Sequence, residues 1–75
     1  MTSQNGEYIR LCLRERLEEQ GMTRYRLHRL TGIKYEIIDR YYKGTAVERV
    51  DLFLLAKMCG ALGCQVEDLL KYERK

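Results

Sequence analysis

Apolar residues recur along the chain at helical spacing, and most of the recurrences end at a glycine. From Glu7 to Gln20, the apolar residues Ile9, Leu13 and Leu17 fall on one face with Cys12 beside them, while charges fill the other face. This pattern predicts an amphipathic first helix, stopped by Gly21. Thr23 is a good N-cap for a second helix running to Thr31, with Leu27 and Leu30 on its buried side and Gly32 after it. A third helix fits Lys34 to Tyr42: Ile37, Ile38, Tyr41 and Tyr42 share one arc of its wheel, and Glu36, Asp39, Arg40 and Lys43 share the opposite one. Gly44 closes it, and Thr45 to Val50 forms a connecting loop. Asp51 can cap a fourth helix through about Leu62, with Leu52, Leu55, Cys59 and Leu62 at core spacing and Gly63 as its stop. A short fifth helix from Val66 to Leu70 buries Val66, Leu69 and Leu70. No stretch alternates with period two for long enough to predict a strand, and no internal repeat is visible. The expected fold is therefore all-α: five short helices around one core over residues 7–72, a flexible leader over 1–6 and a polar tail over 73–75.

Composition narrows the possible functions. A chain of 75 residues makes one small domain that buries only about 60% of its unfolded surface, which leaves no room for a large enclosed substrate pocket. A hydrophobic share of 45% beside a charged share of 33% suits a globular chain, and the absence of proline excludes collagen-like and proline-rich classes. The longest apolar run, Leu52 to Ala56, is far short of the roughly 20 residues that span a bilayer. Neither a membrane span nor a signal peptide is expected. Cys12, Cys59 and Cys64 are an odd set that cannot all pair, which points to packed thiols in a reducing cytoplasm.

The net charge of +3 decides little, but its distribution is uneven. Residues 1–22 carry −1 and residues 50–75 carry zero, whereas residues 23–49 carry +4. The excess comes from Arg24, Arg26, Arg29, Lys34, Arg40, Lys43 and Arg49, interleaved with Tyr25, Tyr35, Tyr41 and Tyr42. Basic residues among aromatics on a helical pair are what a nucleic-acid surface needs, since charge displaces counterions and flat donors reach phosphate. An ordinary solvated face accounts for the charge equally well. Geometry is more specific. The second and third helices are joined by Thr31-Gly32-Ile33-Lys34, a tight turn with glycine where the chain reverses, and Leu27 and Ile38 flank it at positions that let the helices pack. This is helix-turn-helix spacing, in which the second helix enters the major groove and the first crosses the backbone.

The stretch from Met22 to Gly44 resembles the motif of the Cro/CI-type (xenobiotic-response-element, XRE) helix-turn-helix family. The stretch from Val50 to Leu70 is similar to that family's fourth and fifth helices, including the closing Glu67-Asp68-Leu69-Leu70, so the resemblance covers roughly residues 9 to 72. It implies a compact, lambda-repressor-like DNA-binding domain of a bacterial or phage-type transcriptional regulator, commonly a repressor and often a homodimer. Carried over position by position, the family's contacts put Lys34, Tyr35, Glu36 and Arg40 at base edges. They make Thr23, Arg24, Lys43, Thr45 and Arg49 phosphate contacts. Arg40 is the best guanine reader, because its fork fits O6 and N7 together. Tyr35 can meet a base edge, a thymine methyl or a phosphate, and Arg24 stands where the family usually has glutamine.

Besides Arg24, three positions within the motif depart from the family pattern. His28 replaces the usual alanine at the helix crossing, so the ring requires a wider crossing or swings outward beside Arg24. Asp39 stands where serine is usual, and Glu36 is also acidic. Each acid precedes a base by four residues, Glu36 before Arg40 and Asp39 before Lys43, which is the favourable order for intrahelical pairs worth about 0.2–0.5 kcal/mol each. Such pairs can orient the arginine, or let Glu36 accept from a cytosine amine; they can equally mark a solvated helix that no longer favours DNA. The alternative function is accordingly a protein-interaction module, antitoxin-like or regulator-binding, on the same scaffold. Arg16 stands where the family often has an apolar residue, narrowing the inner face of the first helix.

Other chemistries find little support. Ser3 is the only serine, and no glycine-rich phosphate loop exists, so no enzyme is expected. Cys59 and Cys64 are too few for a zinc site, and Cys12 and His28 lack paired spacing, so no metal or cofactor is expected. The expected partners are a double-stranded DNA operator and a second copy of the chain, through the fourth and fifth helices or the termini, with no membrane and no small-molecule effector.

Overall fold

The helices begin and end at their cap residues. The computed structural model describes residues 7–44 and 49–74. In chain order these form β1 (Glu7–Leu11), α1 (Leu13–Gln20), α2 (Arg24–Thr31), α3 (Tyr35–Lys43), α4 (Leu52–Leu62), one 3₁₀ turn (Val66–Asp68) and β2 (Leu70–Arg74). The Thr23 hydroxyl accepts from the Arg26 amide at 3.0 Å, so one of the free N–H groups of α2 is met as its sequence predicts. Asp51 does the same for α4, accepting from Phe53 and Leu54 at 2.8 and 3.2 Å. Asp51→Ala is expected to destabilise the domain by about 1 kcal/mol, measured as the shift in its urea midpoint.

The two ends of the chain depart from the expected all-α fold. Glu7–Leu11 is not the first turn of a helix but a strand, antiparallel to Leu70–Arg74, with Ile9 opposite Tyr72 and Leu11 opposite Leu70. The Cys12 amide donates to the Leu69 carbonyl at 2.7 Å, carrying the connection into α1. Backbone groups that would have bonded along a helix instead find partners at the other end of the chain, where Tyr8, Ile9 and Tyr72 suit a strand. Only Leu11 of β1 is buried, so the strand has no apolar face for an alternation to reveal. Ile9, expected in the core, is 58% exposed. The expected fifth helix is a single 3₁₀ turn, capped by Gln65 and Asp68, after which Leu70 already belongs to β2. Leu69 is buried as expected, whereas Val66 is exposed. Residues 73 and 74, expected in a polar tail, complete the second strand. The expected leader, residues 1–6, lies outside the described residues.

Four helices and the sheet enclose one core. Leu13 and Leu17 of α1, Leu27 of α2 and Ile38 of α3 are fully buried, with Leu55, Met58 and Leu62 of α4 meeting them. Besides Ile9 and Val66, two expected core residues lie outside. Leu30 is 51% exposed because the covered arc of α2 runs from Leu27 through Thr31 and Arg24 to His28, while Leu30 sits about 60° the other way. Leu52 is 76% exposed at the first position of α4, and Met58 fills the stripe instead. Arg16, half-buried, reaches from α1 to Glu19 at 2.8 Å and Asp68 at 3.4 Å, tying the helix to the 3₁₀ turn. Tyr41 locks α3 to the start of α4, its hydroxyl accepting from the Asp51 amide at 3.4 Å.

Candidate nucleic-acid interface

The turn between α2 and α3 is held by side chains that the sequence places there. Gly32 has φ +76°, a left-handed conformation that side chains rarely adopt, and its amide donates to the His28 carbonyl at 2.8 Å. The Thr31 hydroxyl donates to the Leu27 carbonyl at 2.7 Å and accepts from the Ile33 amide at 3.2 Å. His28 bridges the same turn. Its Nδ1–H donates to the Ile33 carbonyl at 2.6 Å; a carbonyl can only accept, so the proton belongs on Nδ1. The imidazole lies between Tyr25, at 5.7 Å between ring centres, and Tyr35, at 6.3 Å and edge-on. The ring thus turns toward the two tyrosines and the chain reversal rather than toward Arg24, and Ile33 seals the turn from below.

α3 divides as its wheel predicts except at Asp39, which is half-buried against Arg24 of α2. Ile38 and Tyr41 are buried, Ile37 and Tyr42 are half-buried, and Glu36, Arg40 and Lys43 are exposed. Lys34 occupies the N-cap position and Tyr35 the first turn, where it remains 38% exposed despite its contact with His28. Of the expected base contacts, Lys34, Tyr35, Glu36 and Arg40 therefore all lie on the solvent side of one helix. Thr23 and Arg24 stand together at the start of α2 and Lys43 at the end of α3, while Arg49 is exposed just before α4. Thr45 lies outside the described residues.

One of the two expected intrahelical pairs forms. Lys43 Nζ donates to Asp39 at 3.1 Å, whereas the Arg40 guanidinium lies 5.7 Å from the centre of the Tyr41 ring and makes no pair with Glu36. Asp39 also accepts from Arg24 of α2, a link across the motif that spacing rules within one helix cannot anticipate. Hydrogen bonding from Lys43, with a further contribution from Arg24, holds the Asp39 carboxyl below the usual carboxylate range. Arg24 in addition stacks over Tyr42 at 4.5 Å, and Arg14 approaches the same ring at 5.8 Å.

Ion pairs engage part of the basic complement. Arg10 pairs with Glu15 and Glu73, Arg14 with Glu18, and Arg16 with Glu19 and Asp68. Each arginine of β1 and α1 is thereby matched to carboxylates. Arg26, Arg29, Lys34 and Arg40, all on α2, the turn and α3, make no ion pair among the described residues, and neither do Arg49, Lys57, Lys71 and Arg74 beyond the motif. Arg26 and Arg29 belong to the basic excess of the sequence but to none of the expected contacts; their exposure on α2 adds them to this surface. Among the described residues no helix is long and apolar enough to cross a membrane, and no three metal-ligating side chains converge.

The chain is 21% identical to a crystal structure of the transcriptional regulator VanUg, superimposing with a TM-score of 0.72 over 93% of this chain and 91% of that one, which establishes a shared fold. No curated protein matches it in sequence. The family model of the Cro/C1-type HTH DNA-binding domain matches residues 12–75, spanning both helices of the motif, the latched turn between them and most of the core beneath. The chain belongs to the Cro/C1-type helix-turn-helix DNA-binding family.

Proposed function

We propose that the chain is a sequence-specific double-stranded DNA-binding transcriptional regulator that represses by occupying an operator, with α3 in the major groove. The observation that carries this reading is the exposure of Arg26, Arg29, Lys34 and Arg40, without carboxylate partners among the described residues, on the two helices and the turn of the helix-turn-helix motif. Unpaired surface cations are available to displace counterions from phosphate. Lys34, Tyr35, Glu36 and Arg40 are the base contacts in this reading, with Arg40 bidentate to guanine. Thr23, Arg24, Lys43, Thr45 and Arg49 hold phosphate. Thr23 remains suited to that role, because its hydroxyl accepts from Arg26 while keeping its own O–H to donate.

A single domain of this size makes few base contacts, and a homodimer reading two half-sites multiplies them. Selection of bound sequences from a random duplex pool tests both points. The expected result is an enriched motif with two inverted half-sites about 10 base pairs, or a multiple of one helical turn, apart. Enrichment of a single half-site contradicts the dimer. Absence of any enriched motif contradicts sequence-specific reading and favours a protein-interaction module on the same scaffold.

A further inference from the structure

The motif contains one acid that is fully engaged, and it sits on the recognition helix. Asp39 Oδ1 accepts from Nη1 of Arg24, at the start of α2, and Oδ2 accepts from Nζ of Lys43, one turn further along α3, at 3.1 Å. The Asp39 side chain is 26% exposed, so the group is shielded on one side while Lys43, at 64%, opens to solvent. Arg24 is held a second time by the face of Tyr42, which fixes its guanidinium beside the carboxylate. Among the charged residues of α2, the turn and α3, these three alone are tied together in ion pairs.

A carboxylate gripped by a guanidinium and an ammonium offers those cations what a phosphate diester would offer: two anionic oxygens in hydrogen-bonding reach. We propose that Asp39 is an internal competitor for DNA phosphate, occupying Arg24 and Lys43 in the free protein and so setting how strongly the domain binds any duplex. The inference rests on the DNA-binding reading above. A phosphate approaching either cation must displace the carboxylate or share the cation with it, and the trio presents one net positive charge where two would otherwise stand. Phosphate contacts supply the sequence-independent part of affinity, whereas base contacts through Tyr35 and Arg40 do not pass through Asp39. The acid therefore weakens binding to all sequences alike and leaves a larger share of it to base contacts, a repulsive element that favours discrimination. It is a positioning residue, acting through Arg24 and Lys43.

The test is the salt dependence of binding to a short random-sequence duplex, followed by fluorescence anisotropy, for the full chain and for Asp39→Asn, which keeps the shape and removes the charge. Asp39→Asn is expected to bind about three- to tenfold more tightly at low salt, with the plot of log affinity against log salt steeper by about one. The gain should shrink in at least one of the Lys43→Gln and Arg24→Gln backgrounds, because a freed cation carries it. Asp39→Ser must reproduce the gain, and far-ultraviolet circular dichroism checks that each variant folds. Wild type that binds while folded Asp39→Asn and Asp39→Ser bind no more tightly overturns this inference alone, as does a gain undiminished in both glutamine backgrounds. Wild type that fails to bind at low salt overturns the DNA-binding reading and this inference with it.

Discussion

Arg40→Ala is expected to cost operator binding about 1–3 kcal/mol, roughly a five- to 150-fold loss, while relaxing preference at one base pair of each half-site. Arg40 is exposed on the outer face of α3, where its guanidinium meets the Tyr41 ring and no carboxylate among the described residues. Its removal therefore leaves no buried charge uncompensated, and the melting temperature should stay near that of the wild type. The measurement is affinity for the selected operator beside affinity for a scrambled duplex. A base reader loses the first far more than the second. Equal losses on both duplexes would instead make Arg40 a phosphate contact and move guanine reading to another residue of α3. Lys34→Ala provides the contrast, since a flexible ammonium at the helix start discriminates between bases less sharply than a planar fork.

Leu27→Ala should remove about half of the domain's stability. Leu27 is fully buried where α2 meets α3 and α4, and truncating such a leucine costs about 2–5 kcal/mol from lost burial and the cavity left behind. At about 0.05–0.15 kcal/mol per residue, a domain of 75 residues has roughly 4–11 kcal/mol in total. The variant is therefore expected to show a lowered urea midpoint and partial unfolding near 37 °C. Leu30→Ala supplies the internal control: three residues along the same helix but half in solvent, it should change stability by less than about 1 kcal/mol. Similar losses from the two substitutions would contradict the described orientation of α2.

The central helices were legible because their signals are local. Thr23, Asp51 and the four glycines with positive φ cap or stop helices within a few residues of themselves, and the wheel of α3 separates Ile38 and Tyr41 from Arg40 and Lys43 without reference to the rest of the chain. The ends were not legible, because β1 and β2 stabilise each other across the whole length of the chain and bury too little to print a period of two. The same distinction holds for the candidate site. The Asp39–Lys43 pair follows from spacing within a helix, whereas Arg24–Asp39 and the hydrogen bond from His28 to Ile33 depend on how α2 crosses α3. His28 and Asp39, which break the family's usual pattern, both turn out to have specific partners inside the motif. Neither is an unaccommodated intrusion.

In the proposed function, α2 and α3 present a surface for duplex DNA. Its most direct test is the affinity of the wild-type chain for random-sequence duplex as salt is raised from about 50 to 200 mM, the range over which phosphate contacts weaken most visibly. A phosphate-binding surface on α2 and α3 predicts measurable binding at low salt and a linear fall of log affinity with log salt, at a slope of about 0.9 for each phosphate neutralised. Absence of binding at low salt, or binding indifferent to salt, would contradict it.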